Sequence, residues 1–375
     1  MKIGMLTDCY RPVINGVTNC VAMCKREMEL AGNQVFVFTF GHLDQPDEET
    51  GILRSPGIRV SDTGYYFGLE YSHQARRVLA EMDILHIHHP FTSGQAGTRH
   101  GRRLGVPMVF TNHTRYDLYA NTYFPRVPPD LVHNVLARYM ATFTSECDLV
   151  VAPSRGLYEV AIGWGIETEM IVIPNGVDLD RLRNPRRRAS RGELGIPDGA
   201  TLLVYCGRLS PEKNLDQLMS AFQRVSQEVQ DVYLLLIGGG PEEGKLREGT
   251  AGLNRVRFTG WIEHEDVPGY LALGDLFVTA SVTEVHPLVV IEALGAGLPV
   301  VAVHSPGISE TVRHGIDGYL TGTVEGDFAA AILRMVQKPA LRAEMAQNAR
   351  QRSLLYDIRV TARALLAQYH RLVAA

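Results

Sequence analysis

The chain has 375 residues, a length that points to two domains, with 45% hydrophobic and 21% charged residues, as in ordinary globular proteins. A formal net charge of −4 with no basic domain argues against a nucleic-acid partner, and no apolar run reaches the length of a membrane span. Five scattered cysteines (Cys9, Cys20, Cys24, Cys147, Cys206) without a CxxC, and a start, MKIGMLTDCYRP, that turns polar by Thr7, point to reduced thiols in a cytoplasmic protein.

Short β-branched apolar runs then alternate with longer periodic stretches. Strands are predicted at 2–8, 35–41, 58–62, 84–90, 107–113, 148–154 and 170–176, with helices at 17–32, 93–104 and 130–146. Continuous apolar strands separated by helices indicate a parallel sheet covered on both faces. After the first strand, Asn15-Gly16 stands directly ahead of a helix. Gly16 would let an anion approach the helix start, and a plain tight turn reads equally well. The run ILHIHHP sets His86 and His88 on one face and His89 on the other. No cysteine or carboxylate has matching ligand spacing, so packed or hydrogen-bonded histidines are expected there instead of a metal site. His113 stands at a strand exit, where a substrate contact belongs, with a structural histidine as the rival reading.

The segment DLDRLRNPRRRASRGELGIPDGA carries six arginines and is punctuated by proline. It reads as a solvated connection or surface segment between two domains, with contact to anionic lipid or phosphate as the sharper alternative. The alternation then restarts, with strands at 201–207, 232–239, 255–260, 276–281 and 299–304, and the last 35 residues read as helical. Arg208 and Lys213 flank a turn containing Pro211 at a helix start. Two cations beside exposed amides suit a diphosphate, and a plain pair of surface cations reads the same in isolation. GGPEEGKL resembles a P-loop but has Leu246 where a magnesium-binding hydroxyl is needed, so it reads as a glycine turn. No G-x-G-x-x-G follows the first strand, which argues against a dinucleotide enzyme.

The stretch TEVHPLVVIEALGAGLPVV places Glu284 ahead of an apolar run and Glu292 inside it. A lone carboxylate is rarely buried without a partner, so Glu292 either meets a protein donor or awaits a ligand's hydroxyls. Pro287 suits a first helical position, which leaves the amides of Leu288 and Val289 unpaired. Two acceptors around an anion-friendly helix start match the outline of a sugar nucleotide: a hexose, a diphosphate and a ribose diol. Two doubly wound α/β halves imply a cleft between them, with the informative residues just after each strand.

Asn15-Gly16-Val17, HT at 113–114, IPNGVDLDRL, GRLSPEKN, IGGGP, RFTGWI and the Glu284/Glu292 pair together resemble the retaining family 4 glycosyltransferases of the GT-B fold, over nearly the whole length. That resemblance implies two Rossmann-like domains facing across a cleft. Residues 1–177, joined by a C-terminal helix at about 356–375, would bind the acceptor, and residues 178–355 the nucleotide sugar. It implies that Gly16, Arg208 and Lys213 hold the donor diphosphate, that Glu292 binds the ribose diol, and that Glu284 binds the sugar hydroxyls. Main chain near Ile262 would hold the base. Gly238 and the amides from His286 through Pro287 and Leu288 to Val289 would line the sugar and phosphate, and His113 would reach the sugar. His113, Arg208, Lys213 and Glu284 are the expected catalytic residues. Gly239 departs from the family, where an acidic or other polar residue is common.

The same resemblance, strongest toward bacterial diacylglycerol glucosyltransferases, implies a UDP-hexose donor, glucose first, and a hydroxyl acceptor such as a lipid. Phosphatidylinositol mannosyltransferases of the family keep GDP-mannose open, and a sugar phosphorylase of the same fold is a further alternative. Front-face displacement without a metal or other cofactor is expected, since side-chain cations would take the leaving group's charge. Tyr116, Asp117, Tyr119 and Tyr123 follow His113 closely and are candidates to line the acceptor site, against tyrosines that simply pack a loop. A lipid acceptor would bring peripheral contact with the inner membrane face.

Overall fold

A computed structural model describes residues 1–41, 49–60, 65–118, 126–250, 252–324 and 326–375. Tyr119 and Tyr123 therefore lie outside the described residues. The chain forms two compact units, Met1–Gly176 with Ile358–Ala375, and Val177–Asp357.

The first unit is built on a seven-stranded parallel sheet in the order β3-β2-β1-β6-β7-β8-β9. Its strands are β1 (Lys2–Leu6), β2 (Gln34–Gly41), β3 (Ile52–Pro56), β6 (Ile84–Ile87), β7 (Met108–Thr111), β8 (Leu149–Ala152) and β9 (Met170–Val172). The helices α1 (Gly16–Leu30), α2 (His73–Leu79), α3 (Thr92–Leu104), α4 (Pro129–Thr144) and α5 (Arg155–Gly163) connect them. Ile3, Met5 and Leu6 of β1 are all fully buried, because side chains on both faces of a covered central strand meet apolar partners.

β3 was not anticipated. Its sequence, ILRSP, carries Arg54 and ends on Pro56, a composition that only an edge strand tolerates. The strand predicted at 58–62 is corrected. Past Pro56 the chain leaves the sheet, and Ile58–Arg59 (β4) pairs antiparallel with Tyr66–Phe67 (β5) in a separate ribbon. Ile58 is 75% exposed there, so its apolar character did not signal burial.

The second unit opens with α6 (Leu179–Arg183) and carries a six-stranded parallel sheet in the order β12-β11-β10-β13-β14-β15. Its strands are β10 (Thr201–Cys206), β11 (Val232–Ile237), β12 (Val256–Phe258), β13 (Leu276–Thr279), β14 (Val300–Val303) and β15 (Gly318–Thr321). Its further helices are α7 (Leu215–Glu228), α8 (Glu243–Gly249), α9 (Val267–Leu271), α10 (Leu288–Ala296), α11 (Pro306–Thr311), α12 (Asp327–Gln337) and α13 (Pro339–Ser353). β15 also escaped sequence reading. It is a short edge strand led by Gly318, where a Cβ would lie 2.0 Å from the carbonyl oxygen of Val300.

The arginine-rich segment lies within this second unit, mostly on its surface. Arg191 binds the carbonyls of Asp198, Ala200 and Leu273 and the carboxylate of Asp275. Arg181 binds the carbonyl of His264, and Arg186 pairs with Glu265. These guanidiniums satisfy the unit's own acceptors.

The final helix, α14 (Ile358–Val373), returns to the first unit. Ile358, Leu365 and Tyr369 join the core beside Ile3 and Val109. Thr361 donates to the carbonyl of Pro174 at 2.9 Å, and a Cβ on Gly176 would meet the backbone of Ile358 at 2.6 Å.

Candidate active site

In each sheet the strand order reverses beside the first strand: between β1 and β6, and between β10 and β13. Loops leaving the carboxyl ends of strands at such a reversal form the natural ligand site of a doubly wound unit. In the second unit those loops carry Arg208 and Lys213 after β10, and Glu284 through Pro287 after β13.

The β10 loop is held open by specific contacts. Tyr205 donates to the carbonyl of Arg208 at 3.1 Å, and residues Pro211–Lys213 form one 3-10 turn. Asn214 then adopts a left-handed conformation, φ 54°, before α7 begins at Leu215. The expected helix start is thus split in two. Asn214 donates to the carbonyl of Ala280, tying this loop to the β13 exit. Arg208 is exposed, and its guanidinium makes no ion pair among the described residues.

Lys213 spans the reversal. Its Nζ lies 2.7 Å from Oε1 of Glu284, a pair largely removed from solvent. Burial alone would raise the Glu284 carboxyl, but the Lys213 ammonium outweighs it and holds the group below its usual range. Sequence reasoning assigned Lys213 to phosphate and Glu284 to sugar and did not foresee that they meet.

Pro287 sits at the N-cap position of α10, one residue before the helix proper. The amides of Val290 and Ile291 both donate to the carbonyl of Pro287, and no side chain caps the helix. Leu288 and Val289 therefore keep their amide donors outside the helical ladder. His286 is buried edge-on against Tyr356, with ring centroids 5.2 Å apart, and burial pushes it down to about 3. Behind the loop, a Cβ on Gly307 of α11 would lie 2.1 Å from the carbonyl oxygen of Val285 and 2.6 Å from that of Glu284. Gly307 thus shapes the path of the Glu284 main chain, a role sequence reading missed.

Glu292 is 6% exposed and meets a protein donor. His264 Nε2 lies 3.0 Å from its Oε1, and Arg181 anchors the carbonyl of that same His264. The other carboxylate oxygen accepts no hydrogen bond among the described residues. His264 had no sequence signal, since it follows β12 in a polar loop.

The glycines of IGGGP are explained by close backbone contact. The β10 and β11 exits are joined by Leu209 N donating to Gly239 O at 2.9 Å and Glu242 N donating to Leu209 O at 3.0 Å. Gly238 has φ 118°, and a Cβ there would approach the carbonyl oxygen of Gly207 to 2.3 Å. At Gly239 a Cβ would fall 2.7 Å from the indole of Trp261, itself 68% exposed and next to half-buried Ile262. Any side chain at 239 would have to displace that indole. Lys245, of the rejected P-loop, pairs on the surface with Asp216.

In the first unit, Asn15 caps α1 by accepting from Val17 N and Thr18 N, both at 2.9 Å, in a capping box completed by Thr18. Gly16 is the first helical residue. A Cβ there would meet nothing within 4 Å, and its φ is not positive. Neither turn geometry nor packing demands glycine at 16. The capping box also consumes two of the first amides, which narrows any anion contact to Gly16.

Each of the three histidines near the end of β6 is bonded to protein. His86 lies between Thr111 Oγ1 and Tyr369 Oη, and His89 Nδ1 accepts from Asp8 N. His88 Nδ1 lies 3.0 Å from Nε2 of half-buried His113. Among the described residues no group of three His, Cys, Asp or Glu is arranged to hold a metal ion. Of the acceptor candidates, Tyr116 packs edge-on against Phe91 at 5.1 Å. Asp117 is buried, and Arg115 grips both its oxygens at 2.8 and 2.7 Å. Burial opposes ionisation of Asp117 and Arg115 overrides it, holding the carboxyl low. Asp117 is thus held within its own loop by Arg115.

Comparison with known proteins identifies the family and the fold. Residues 14–181 match the model "Glycosyltransferase Family 4", and residues 186–352 match "Glycosyl transferases group 1". The alpha-monoglucosyldiacylglycerol synthase of Streptococcus pneumoniae is 30% identical over 351 residues, 89% of this chain and 78% of that one. A GDP-mannose-dependent alpha-(1-6)-phosphatidylinositol dimannoside mannosyltransferase of Mycobacterium tuberculosis is 28% identical over 98% of this chain and 95% of its own. The structure of sucrose-phosphate synthase from Thermosynechococcus elongatus superposes with TM-score 0.80 at 20% identity, covering 100% of this chain and 99% of that one. The chain belongs to the family 4 glycosyltransferases and has the GT-B fold.

Proposed function

We propose that this enzyme is a retaining glucosyltransferase that moves a hexose from UDP-glucose to a hydroxyl of a membrane lipid of the diacylglycerol class. The observation that carries the reading is Lys213 bonded to Glu284 across the strand reversal of the second unit, beside the uncapped start of α10. A cation, an acceptor of hydroxyl protons and free amides meet at one strand-end site. The lipid class and the glucose follow from likeness to the pneumococcal synthase.

In this reading the donor's phosphate takes Lys213 from Glu284, and Glu284 turns to the sugar hydroxyls. Arg208 and the amides of Leu288 and Val289 share the diphosphate charge with Lys213. Glu292, oriented by His264, offers its second oxygen to the ribose diol, main chain near Ile262 meets the base, and Gly16 leaves room for phosphate. His113 contacts the sugar. The bond from the anomeric carbon to the β-phosphate oxygen breaks, and the acceptor oxygen bonds to that carbon on the same face. The acceptor's proton passes to the departing phosphate. Fixed cations stabilise the charge that grows on this leaving group, so no divalent ion or other cofactor is needed.

The ribbon of β4 and β5 supports contact with a lipid surface. The pairing of Ile58 with Phe67 puts both on one face, and Val60 and Leu69 lie two residues further along the chain from each. The four are 75%, 50%, 63% and 73% exposed. Arg99 of basic α3 donates to the carbonyl of Leu69 at 2.6 Å, which sets a cation at the patch. Exposed apolar residues with an arginine beside them fit an anionic bilayer surface. The mycobacterial relative favours a second reading, mannose transfer from GDP-mannose to a phosphoinositide.

A donor panel decides between them. Stabilisation and turnover are expected with UDP-glucose and diacylglycerol vesicles, unchanged by EDTA, with an α-anomeric product by NMR. Response to GDP-mannose alone would favour the second reading, and dependence on inorganic phosphate would indicate a phosphorylase. K213A and E284A should each cut turnover about a hundredfold or more, on the scale of losing one group that stabilises the transition state. Normal transfer by both folded variants would refute the roles assigned.

A further inference from the structure

His88 is 1% exposed and has no place in the chemistry described so far. Its backbone amide donates to the carbonyl of Leu6 at 2.8 Å, which fixes the chain as it leaves β6. Its ring lies between two others. The His86 ring is 4.1 Å away, and the His113 ring is 5.3 Å away and nearly parallel, at 20°. His86 cannot turn freely, because Thr111 and Tyr369 hold its two nitrogens. The third contact is the 3.0 Å bond between His88 Nδ1 and His113 Nε2.

We propose that His88 is a positioning residue for His113: it donates its Nδ1–H to Nε2 of His113, so that His113 carries its own proton on Nδ1 and offers that N–H as a donor. This rests on the role given to His113 above. Burial disfavours the charged form of both rings, holding His113 down to about 3 and His88 lower than usual. Two neutral imidazoles share one hydrogen bond in either of two directions. His88 Nε2 is buried and has no hydrogen-bond partner. If the bond ran from His113 to His88, that nitrogen would carry an orphaned N–H. In the direction proposed it carries only a bare lone pair, and buried orphan N–H groups are the rarer of the two. A ring held in one tautomer presents a donor to a sugar oxygen. Without His88 the ring would divide between two tautomers and turn about its side-chain bonds.

Nitrogen-15 NMR of histidine-labelled protein, with His113 assigned through H113A, reads the tautomer directly and needs no substrate. The Nδ1–H form is expected in the wild type, with loss of that preference in H88F. An Nε2–H form in the wild type, or unaltered His113 shifts in folded H88F, would overturn the proposal. With the donor sugar in hand, H88F should lower kcat about tenfold, the scale of one hydrogen bond, and leave donor KM within about twofold. H88N, whose amide stands where Nδ1 was, should recover most of the loss. H88F added to H113A should cost nothing further, and additive losses would equally overturn the idea. Should no donor be turned over, the NMR result still decides the tautomer separately from the function.

Discussion

Lys213 and Glu284 are 71 positions apart and meet at 2.7 Å, so each satisfies the other until a ligand offers better partners. Truncating either leaves a buried charge without its counter-ion, which is why activity and stability must be measured together for these variants. The buried histidines have a consequence of their own. His86 and His286 are each held down to about 3 by burial, against 6.5 for a free imidazole. In the unfolded chain they take up protons below about 6.5; in the folded chain they stay neutral until near 3. Stability is therefore full above the unfolded value and falls as pH drops from there, by about 1.4 kcal/mol per pH unit for each such histidine. Urea unfolding at pH 7.5 and 5.5 should show this loss, and H286F should flatten it by one histidine's share. A stability profile flat across that window would contradict the neutral, buried state of these rings.

At the level of elements, the strand-end loops of the second unit depend on backbone meeting backbone. Gly238 combines a positive φ with a 2.3 Å approach to the Gly207 carbonyl, so G238A has no low-strain conformation. It should lower unfolding free energy by about 2 kcal/mol or more and shift the β10 exit that carries Arg208. Denaturant unfolding and donor titration would measure both, and wild-type values in each would show that the loops can separate without cost. Gly16 is the contrasting case, with open space where a Cβ would go. The interior strands were legible in the sequence because burial on both faces demands continuous apolar runs. Of the edge strands, β9 and β12 carry apolar runs and were legible, whereas β3 and β15 were not, because an edge also accepts arginine, proline and glycine that read as loop.

For the molecule as a whole, the exposed ribbon face and the arginine beside it give the clearest surface prediction. I58S/F67S should weaken co-sedimentation with anionic vesicles about a hundredfold or more, since two apolar side chains passing from water into the bilayer contribute about 1.5–3 kcal/mol each. Unfolding should be little changed, because neither side chain belongs to the core. Retained vesicle binding would assign this face elsewhere. Among the described residues no helix is long and apolar enough to cross a membrane.

The sequence by itself determined the class of fold, the restart of the strand–helix alternation and the order of motifs at the strand ends. Those are local properties: period, length and turn chemistry are written in consecutive residues. Only the tertiary structure decided what each motif residue touches. Glu292 meets His264 from 28 positions away, Lys213 meets Glu284, and α14 brings Tyr369 to His86 across 283 positions. Even the short-range pair of Arg115 and Asp117 was hidden, since two neighbouring charges say nothing of whether they face each other or a ligand. Hydrogen bonds and ion pairs act over a few ångströms of space whatever the separation along the chain, and only packing of the sheets and helices sets which groups come within that reach.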